Sequence, residues 1–348
     1  MGDCLESYPI VTKLLTFTSG EVQAFLGDIA PSTCGGSAYL CGNVNSLTVG
    51  LIDAWKAIRE ARCANPTGAC ASLMPLDFVL LQKVASLLLN STFITNIGSI
   101  EGGNNGRNAL ISAMKQHSTA KCYTCDNDPA PHIDYMSDYL ENLSYFAVNF
   151  SNTTGAGGTG GVWNQGITGS ATQVVGGAYM LKLLKEENYT AQDVQQFELD
   201  LSDSPNPAKP QKADIVEIDG TTTILVECKS WELGDANFSG LKNGTSASYT
   251  QFITYLKNIG SMTELKYFFD ARRKNMSEIY VKGVFQTMLY QNNDLTNQGA
   301  QVFETIWSNT TLKGNLFPNI SDPVAGKDKF EELIESASSI FYNFIKVK

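Results

Sequence analysis

Positive charge is in short supply in this chain. Its 25 lysines and arginines stand against 35 aspartates and glutamates, a net charge of −10. A balance of that sign excludes broad, nonspecific attraction to phosphates; a phosphate-bearing partner would need a local basic strip, a metal ion or a structured shape. Long apolar runs are missing too. The longest candidate, Phe78–Leu89, is broken by Gln82 and Lys83 and falls well short of the ~20 apolar residues that cross a bilayer. The opening MGDCLESYPIVTKL shows no basic region followed by an apolar core, so no secretory leader is legible. Charged residues are scarce at 17%, but 43% hydrophobic content marks a folded globular chain and not a disordered one.

At 348 residues the chain is long enough for two domains with substantial cores. Residues 1–152 read as a mainly helical, cysteine-containing domain of unassigned role. Apolar spacing gives helices over Thr48–Ala61, Pro75–Leu89, Asn108–Gln116 and Met136–Phe150, with Trp55, Tyr139, Tyr145, Phe146 and Phe150 as packing residues. Residues 153–161, TTGAGGTGG, form a glycine-rich linker. No strand precedes it and no Lys-Ser/Thr follows, which argues against a phosphate-cradling loop. Within 162–348 the pattern predicts a helix over Ser170–Glu187, a strand over Val194–Leu201, a helix over Ser246–Ile259 and a strand over Leu265–Asp270. Ile279–Tyr290, Gln301–Trp307 and Phe330–Val347 read as mostly helical.

The stretch from Ala213 to Lys229 organises this second half. It reads as two strands, ADIVEI and TTILVECK, joined at Asp219-Gly220, a favoured hairpin dipeptide. A two-residue turn there sets Asp214 opposite Leu225. Side-chain alternation then puts Asp214, Val216 and Ile218 on one face with Thr223, Leu225, Glu227 and Lys229. Asp214 and Glu227 become diagonal neighbours about 7–8 Å apart at Cα, a spacing from which two carboxylates can converge on a small hard cation such as magnesium. A three-residue turn would reverse the parity and send Glu227 to the other face. The remaining positions are apolar on both faces, as in strands inside a covered sheet, where charges cost stability unless paired or metal-bound. The plainer alternative is an edge hairpin whose acids and lysine are solvated.

Asp214, a twelve-residue gap and Glu227-Cys228-Lys229 resemble the D…ExK core of the PD-(D/E)xK nucleases. FELDL (197–201), KADIVEIDG (212–220) and LVECKSW (225–231) look like the nuclease modules at the C-termini of bacterial polymorphic toxins. Gln251 and Tyr255, four residues apart on the next helix, are similar to the QxxxY element of a nuclease subgroup. The likeness covers about residues 162–270. Ala213 stands where the motif's proline would be. The resemblance implies an α/β (α+β), restriction-endonuclease-like fold, with a mixed central sheet flanked by helices. It also implies metal-dependent hydrolysis of nucleic acid, DNA ahead of RNA. Asp214, Glu227 and the Cys228 carbonyl would hold Mg²⁺ or Mn²⁺. Lys229 would orient the attacking water, and Gln251 and Tyr255 would position a phosphate or that water. Such nucleases often take a further acid from the helix before the first strand; Glu186, Glu187 and Glu198 are the candidates. A toxin of this kind would be an exported effector with an immunity protein as partner. The competing reading is a catalytically inactive binding or interaction protein on the same fold, which the acidic balance favours and the intact Asp214, Glu227 and Lys229 oppose.

Eight cysteines complete the inventory. Cys34 and Cys41, Cys63 and Cys70, and Cys122 and Cys125 form three local pairs, leaving Cys4 and Cys228. Local disulfides would imply an oxidising compartment. The two histidines bracket the last pair as His117-x4-Cys122-x2-Cys125-x6-His132, ligand types that a tetrahedral zinc could use, although the order fits no standard finger. Structural zinc, a local disulfide and free thiols all stay open. Cys228 reads as a core thiol. The N-x-S/T sequons, Asn90, Asn142 and Asn188 among them, carry little weight without a leader.

Overall fold

The computed structural model describes residues 83–84, 86–87, 90–101, 106–119, 129–151, 161–202, 211–231, 236–273 and 275–348. The expected helix over Thr48–Ala61, the linker at 153–160 and seven of the eight cysteines lie outside them. Among the described residues, those up to Thr190 group into one compact unit and Ala191–Lys348 into a second.

The described part of the first unit is helical: α1 (Ser91–Glu101), α2 (Gly106–Thr119), α3 (Pro129–Phe150), a π-helical turn at Val162–Ile167, and α4 (Ala171–Glu186). Helix α1 is absent from the sequence reading, though Phe93, Ile97 and Ile100 are buried at helical spacing. Tyr139, Phe146 and Phe150 pack inside α3, as their pattern predicts. The Ser170 amide donates to the Gln173 side chain at the start of α4. Gly177 is required by contact: a Cβ there would lie 2.0 Å from the Gly166 carbonyl oxygen, whereas at Gly176 nothing lies within 4 Å.

The second unit is a mixed α+β body built on a five-stranded sheet. Its strands are β1 (Val194–Asp200), β2 (Lys212–Asp219), β3 (Thr222–Lys229), β4 (Leu265–Phe269) and a late strand at Ile345–Val347. Their order is β1-β2-β3-β4 and then the late strand, with the first three antiparallel and the last two pairings parallel. After β3 come α5 (Ala236–Lys242) and α6 (Ala247–Asn258), the latter capped by Ser246, whose side chain accepts from the Tyr249 amide. Helix α6 is the crossover that lets β4 run parallel to β3. Beyond β4 lie α7 (Glu278–Leu289), a two-residue ladder β5 (Tyr290–Gln291) and β6 (Asp294–Leu295), then α8 (Asn297–Ser308), α9 (Thr310–Leu316) and α10 (Pro323–Ile334). A 3₁₀ turn at Ile340–Phe344 leads into the late strand, β7. The segment Phe330–Val347 reads as mostly helical, and its end is a correction: its last three residues take the open edge of β4.

Both faces of the sheet are buried. Phe197, Ile215, Val226 and Phe268 lie on one, and Val216, Leu225, Tyr267 and Phe269 on the other. Against the second face α6 and α7 set Phe252 and Phe285; both meet Tyr267 edge-on, at 6.2 and 5.8 Å between ring centroids, while Phe285 meets Phe344 edge-on at 5.5 Å and Phe252 stacks on Phe344 at 5.7 Å. Each such ring taken from water contributes roughly 1.5–3 kcal/mol, so α6 is held firmly over the face that carries Asp214 and Glu227.

Candidate functional site

The hairpin turns one residue later than its sequence suggests. Asp219 pairs with Thr222, and Gly220-Thr221 form the turn, with Gly220 at φ +62°. Glycine first in a two-residue turn supplies the positive φ that a tight hairpin needs. The register corrects one expectation and keeps another. Val216, not Asp214, faces Leu225, and one step beyond the pair Ile215–Val226, Asp214 and Glu227 stand directly opposite each other. They share a face, as parity requires, but as cross-strand partners and not diagonal ones.

Around that pair the structure builds a closed polar network. Glu227 is only 1% exposed. One of its oxygens contacts the Lys229 ammonium and the other accepts from the Tyr255 hydroxyl and, at 2.9 Å, from Gln251 Nε2. Gln251 and Tyr255 touch each other at 2.8 Å, and both reach the Lys212 carbonyl, at 2.5 and 2.6 Å. Their separation of four residues places them on one flank of α6. There they tie the first residue of β2 to the acid on β3. The polar atoms that the sequence reading offered to a phosphate or water are thus engaged with the protein, and in this arrangement the pair positions Glu227. Gln251 Oε1 also faces Lys229 at 3.3 Å.

Asp214 is less well satisfied. Its carboxylate accepts one hydrogen bond, from the Cys228 amide at 2.7 Å, and makes no ion pair among the described residues. Burial lifts its carboxyl well above the usual aspartate range, with Glu227 adding to the rise and Lys229 opposing it. Burial works against the Lys229 ammonium, but Glu227 and Asp214 outweigh it and hold the amine protonated. A base role for Lys229 therefore has no support in this state. The Cys228 thiol is free and buried, and its pKa is pushed up by burial and by the two acids, which makes it an inert core thiol.

Two residues that the motif does not name also sit here. Lys212 offers its carbonyl to Gln251 and Tyr255 and its ammonium to Glu198, at 3.6 Å. Glu198 lies on β1 between the pairs Phe197–Ile215 and Leu199–Ala213, hence opposite Asp214. Lysine two residues before Asp214 was the signal available in sequence, since period two sends both to one face. Glu186 and Glu187 belong to the other compact unit, where Glu186 pairs with Lys182 at 2.5 Å.

Many lysines and arginines of the second unit already pair with acids. Lys212, Lys229, Lys266, Arg272, Arg273 and Lys282 each face a carboxylate. Among the described residues no three His, Cys, Asp or Glu side chains gather about a point that could hold a metal ion. The donor chemistry nevertheless suits magnesium, which commonly uses one or two carboxylates and keeps its remaining waters. Hard oxygens stand on one face, and Asp214 is a half-buried acid with no ion pair among the described residues. Of the proposed zinc set, Cys122, Cys125 and the His132 side chain lie outside the described residues. His117 is fully buried, stacked on Tyr139 at 3.6 Å, with neither ring nitrogen hydrogen-bonded among the described residues. Burial lowers its pKa to about 3, so the ring is neutral.

Comparison with known proteins returns nothing: no family model, no curated protein and no solved structure matches this chain. No described helix is long and apolar enough to cross a membrane.

Proposed function

We propose that the second unit is a metal-dependent phosphodiesterase acting on nucleic acid, built on a restriction-endonuclease-like fold. The observation that carries this reading is the direct opposition of Asp214 and Glu227 on one sheet face, with Lys229 against Glu227. The element order supports it as well: a first strand, the acid-bearing hairpin, the Gln251–Tyr255 helix, and a parallel strand. A bound Mg²⁺ or Mn²⁺ would polarise the scissile phosphate and lower the pKa of its bound water. Asp214, Glu227 and the Cys228 carbonyl would hold it. Lys229, kept protonated, would stabilise negative charge developing on the phosphate and orient water by donation. Gln251 and Tyr255 would fix the Glu227 carboxylate by holding one of its oxygens.

Incubation with plasmid, single-stranded DNA and tRNA, with Mg²⁺ and with chelator, tests the proposal. Cleavage should need the metal and disappear in Asp214→Ala and Lys229→Ala proteins that remain folded. Cleavage at full rate by Lys229→Ala would falsify the mechanism. A second reading is a nuclease-fold binding protein without activity. The saturation of Glu227 by three protein partners and the pairing of the basic residues favour it, and its signature is absence of cleavage on every substrate with metal present.

A further inference from the structure

We propose that Lys212 is a second phosphate-binding lysine of this site, holding a phosphodiester next to the one that is cleaved. The inference rests on the nuclease reading and supplies the contact by which an acidic face receives a polyanion. The ladder between β2 and β3 runs from the pair Asp219–Thr222 to Ile215–Val226. Past it both strands turn their backbone to side chains. The Cys228 amide donates to Asp214, and the Lys212 carbonyl accepts from Gln251 at 2.5 Å and Tyr255 at 2.6 Å. The same two residues of α6 hold Glu227. Lys212 is thereby fixed to the site through its main chain, and alternation along β2 puts its side chain on the face of Asp214.

A nucleic acid approaching this face meets three carboxylates, Glu198, Asp214 and Glu227, and two ammonium groups. Lys229 lies against Glu227, its side chain 14% exposed. Lys212 is more open at 22%, and its ion pair with Glu198 is 3.6 Å long, beyond the ~2.7–2.9 Å of a charge-assisted hydrogen bond. Other lysines of the unit are gripped more closely: Lys266 meets both oxygens of Glu217 at 2.7 and 2.8 Å, and Lys282 meets Glu278 at 2.7 Å. Asp200, the partner of Lys212 across β1, accepts instead from the Ser202 amide and hydroxyl at 2.9 and 2.6 Å. Lys212 thus joins an anchored backbone to a loosely engaged cation. A point charge on a flexible stem suits a phosphate, and such a contact is indifferent to base sequence. On substrate entry the ammonium would leave Glu198 for the phosphate.

Anisotropy of a short fluorescein-labelled DNA, titrated with the full chain in chelator at several salt concentrations, reads this contact without cleavage. K212M keeps the carbonyl that Gln251 and Tyr255 bind, so it tests the ammonium alone. It should weaken binding of single-stranded and duplex DNA alike and lower the slope of log affinity against log salt by about 1. K212R should restore both. E198Q, which frees the ammonium, should bind more tightly than the wild type. K329M, which alters an exposed lysine paired with Glu332 on α10, should bind as the wild type does. A purely structural Lys212–Glu198 pair predicts instead lower melting temperatures and wild-type slopes in both K212M and E198Q. A wild-type slope in K212M, or an equal loss in K329M, overturns the assignment. Circular dichroism checks folding, and if K212M does not fold, E198Q decides: tighter binding supports the contact, and unchanged or weaker binding overturns it. Metal-dependent plasmid cleavage by the same preparation reads the proposed function separately. Cleavage with an unchanged K212M slope removes the contact alone, whereas a wild type that neither binds nor cleaves removes both.

Discussion

Asp214→Asn should make this protein more stable when divalent cations are absent. The side chain is half-buried, with one amide donor and no ion pair among the described residues, facing Glu227 across the hairpin. Directly opposed cross-strand side chains lie about 5–6 Å apart. Two like charges at ~5.5 Å in a medium of effective dielectric ~20 repel by about 3 kcal/mol. Attraction to Lys229 offsets much of that and Glu198 adds to it, so with desolvation included the carboxylate costs ~1–3 kcal/mol. Asparagine keeps an oxygen for the Cys228 amide and drops the charge. Thermal unfolding in chelator should therefore rise by roughly 2–12 °C, at 2–4 °C per kcal/mol for a unit of this size.

The pH dependence follows from the direction of the Asp214 shift. A carboxyl raised in the folded state binds its proton more tightly there than in the unfolded chain. Its cost to stability is full above the folded pKa and vanishes as pH falls below the unfolded value of about 3.9. The advantage of Asp214→Asn should shrink on acidification. Excess manganese should reverse the ranking, raising the wild-type melting temperature by about 1.4 kcal/mol equivalent per tenfold excess over Kd and leaving the variant unmoved. Differential scanning calorimetry with chelator and with manganese, at neutral and acid pH, reads all of this. A variant less stable than wild type in chelator would mean that Asp214 is a compensated structural acid, and the cation argument would fail.

Tyr255→Phe keeps the ring and removes the donor to Glu227 and the contact with the Lys212 carbonyl; it should cost ~1–3 kcal/mol by denaturant titration. No change would mean that Gln251 alone satisfies both acceptors. His117 is buried neutral with a pKa near 3, against about 6.5 unfolded, so stability is fully present above pH 6.5 and lost as pH falls. The loss grows by roughly 1 kcal/mol for each pH unit below 6.5, and His117→Phe, which can keep the stack on Tyr139, should flatten that decline in urea titrations. Equal slopes in variant and wild type would locate the acid sensitivity elsewhere. Adjacent glycines of α4 should respond with opposite signs. Gly177→Ala drives a methyl into the Gly166 carbonyl and should cost about 1–3 kcal/mol, whereas Gly176→Ala meets open space and should gain roughly 0.5–1 kcal/mol. Melting temperatures that move together would show that the close approach is absent.

The face shared by Asp214 and Glu227 was legible because it depends on parity alone. Sliding a two-residue turn from Asp219-Gly220 to Gly220-Thr221 moves every cross-strand partner by two positions, and two positions return a side chain to the same face. The misplacement therefore changed neighbours and not sides. Which pair would turn was harder to read, since Asp219 and Gly220 both tolerate positive φ and only packing of the strands decides. Strand β7 was hidden for a different reason. Ile345–Val347 is three residues long and follows an aromatic run at helical spacing; it is extended because β4 offers it an unpaired edge, a pairing between residues 78 apart in sequence. The partners of Gln251 and Tyr255 were similarly out of reach. Spacing showed that they share a flank of α6, but the carbonyl of Lys212 enters only when Phe252 locks that helix over the sheet. Glu198 joins the acids through a bulged strand and a left-handed backbone, neither of which a glutamate announces in sequence. Chemistry borne on one regular element could be read from period and spacing; chemistry assembled between elements needed the packing first.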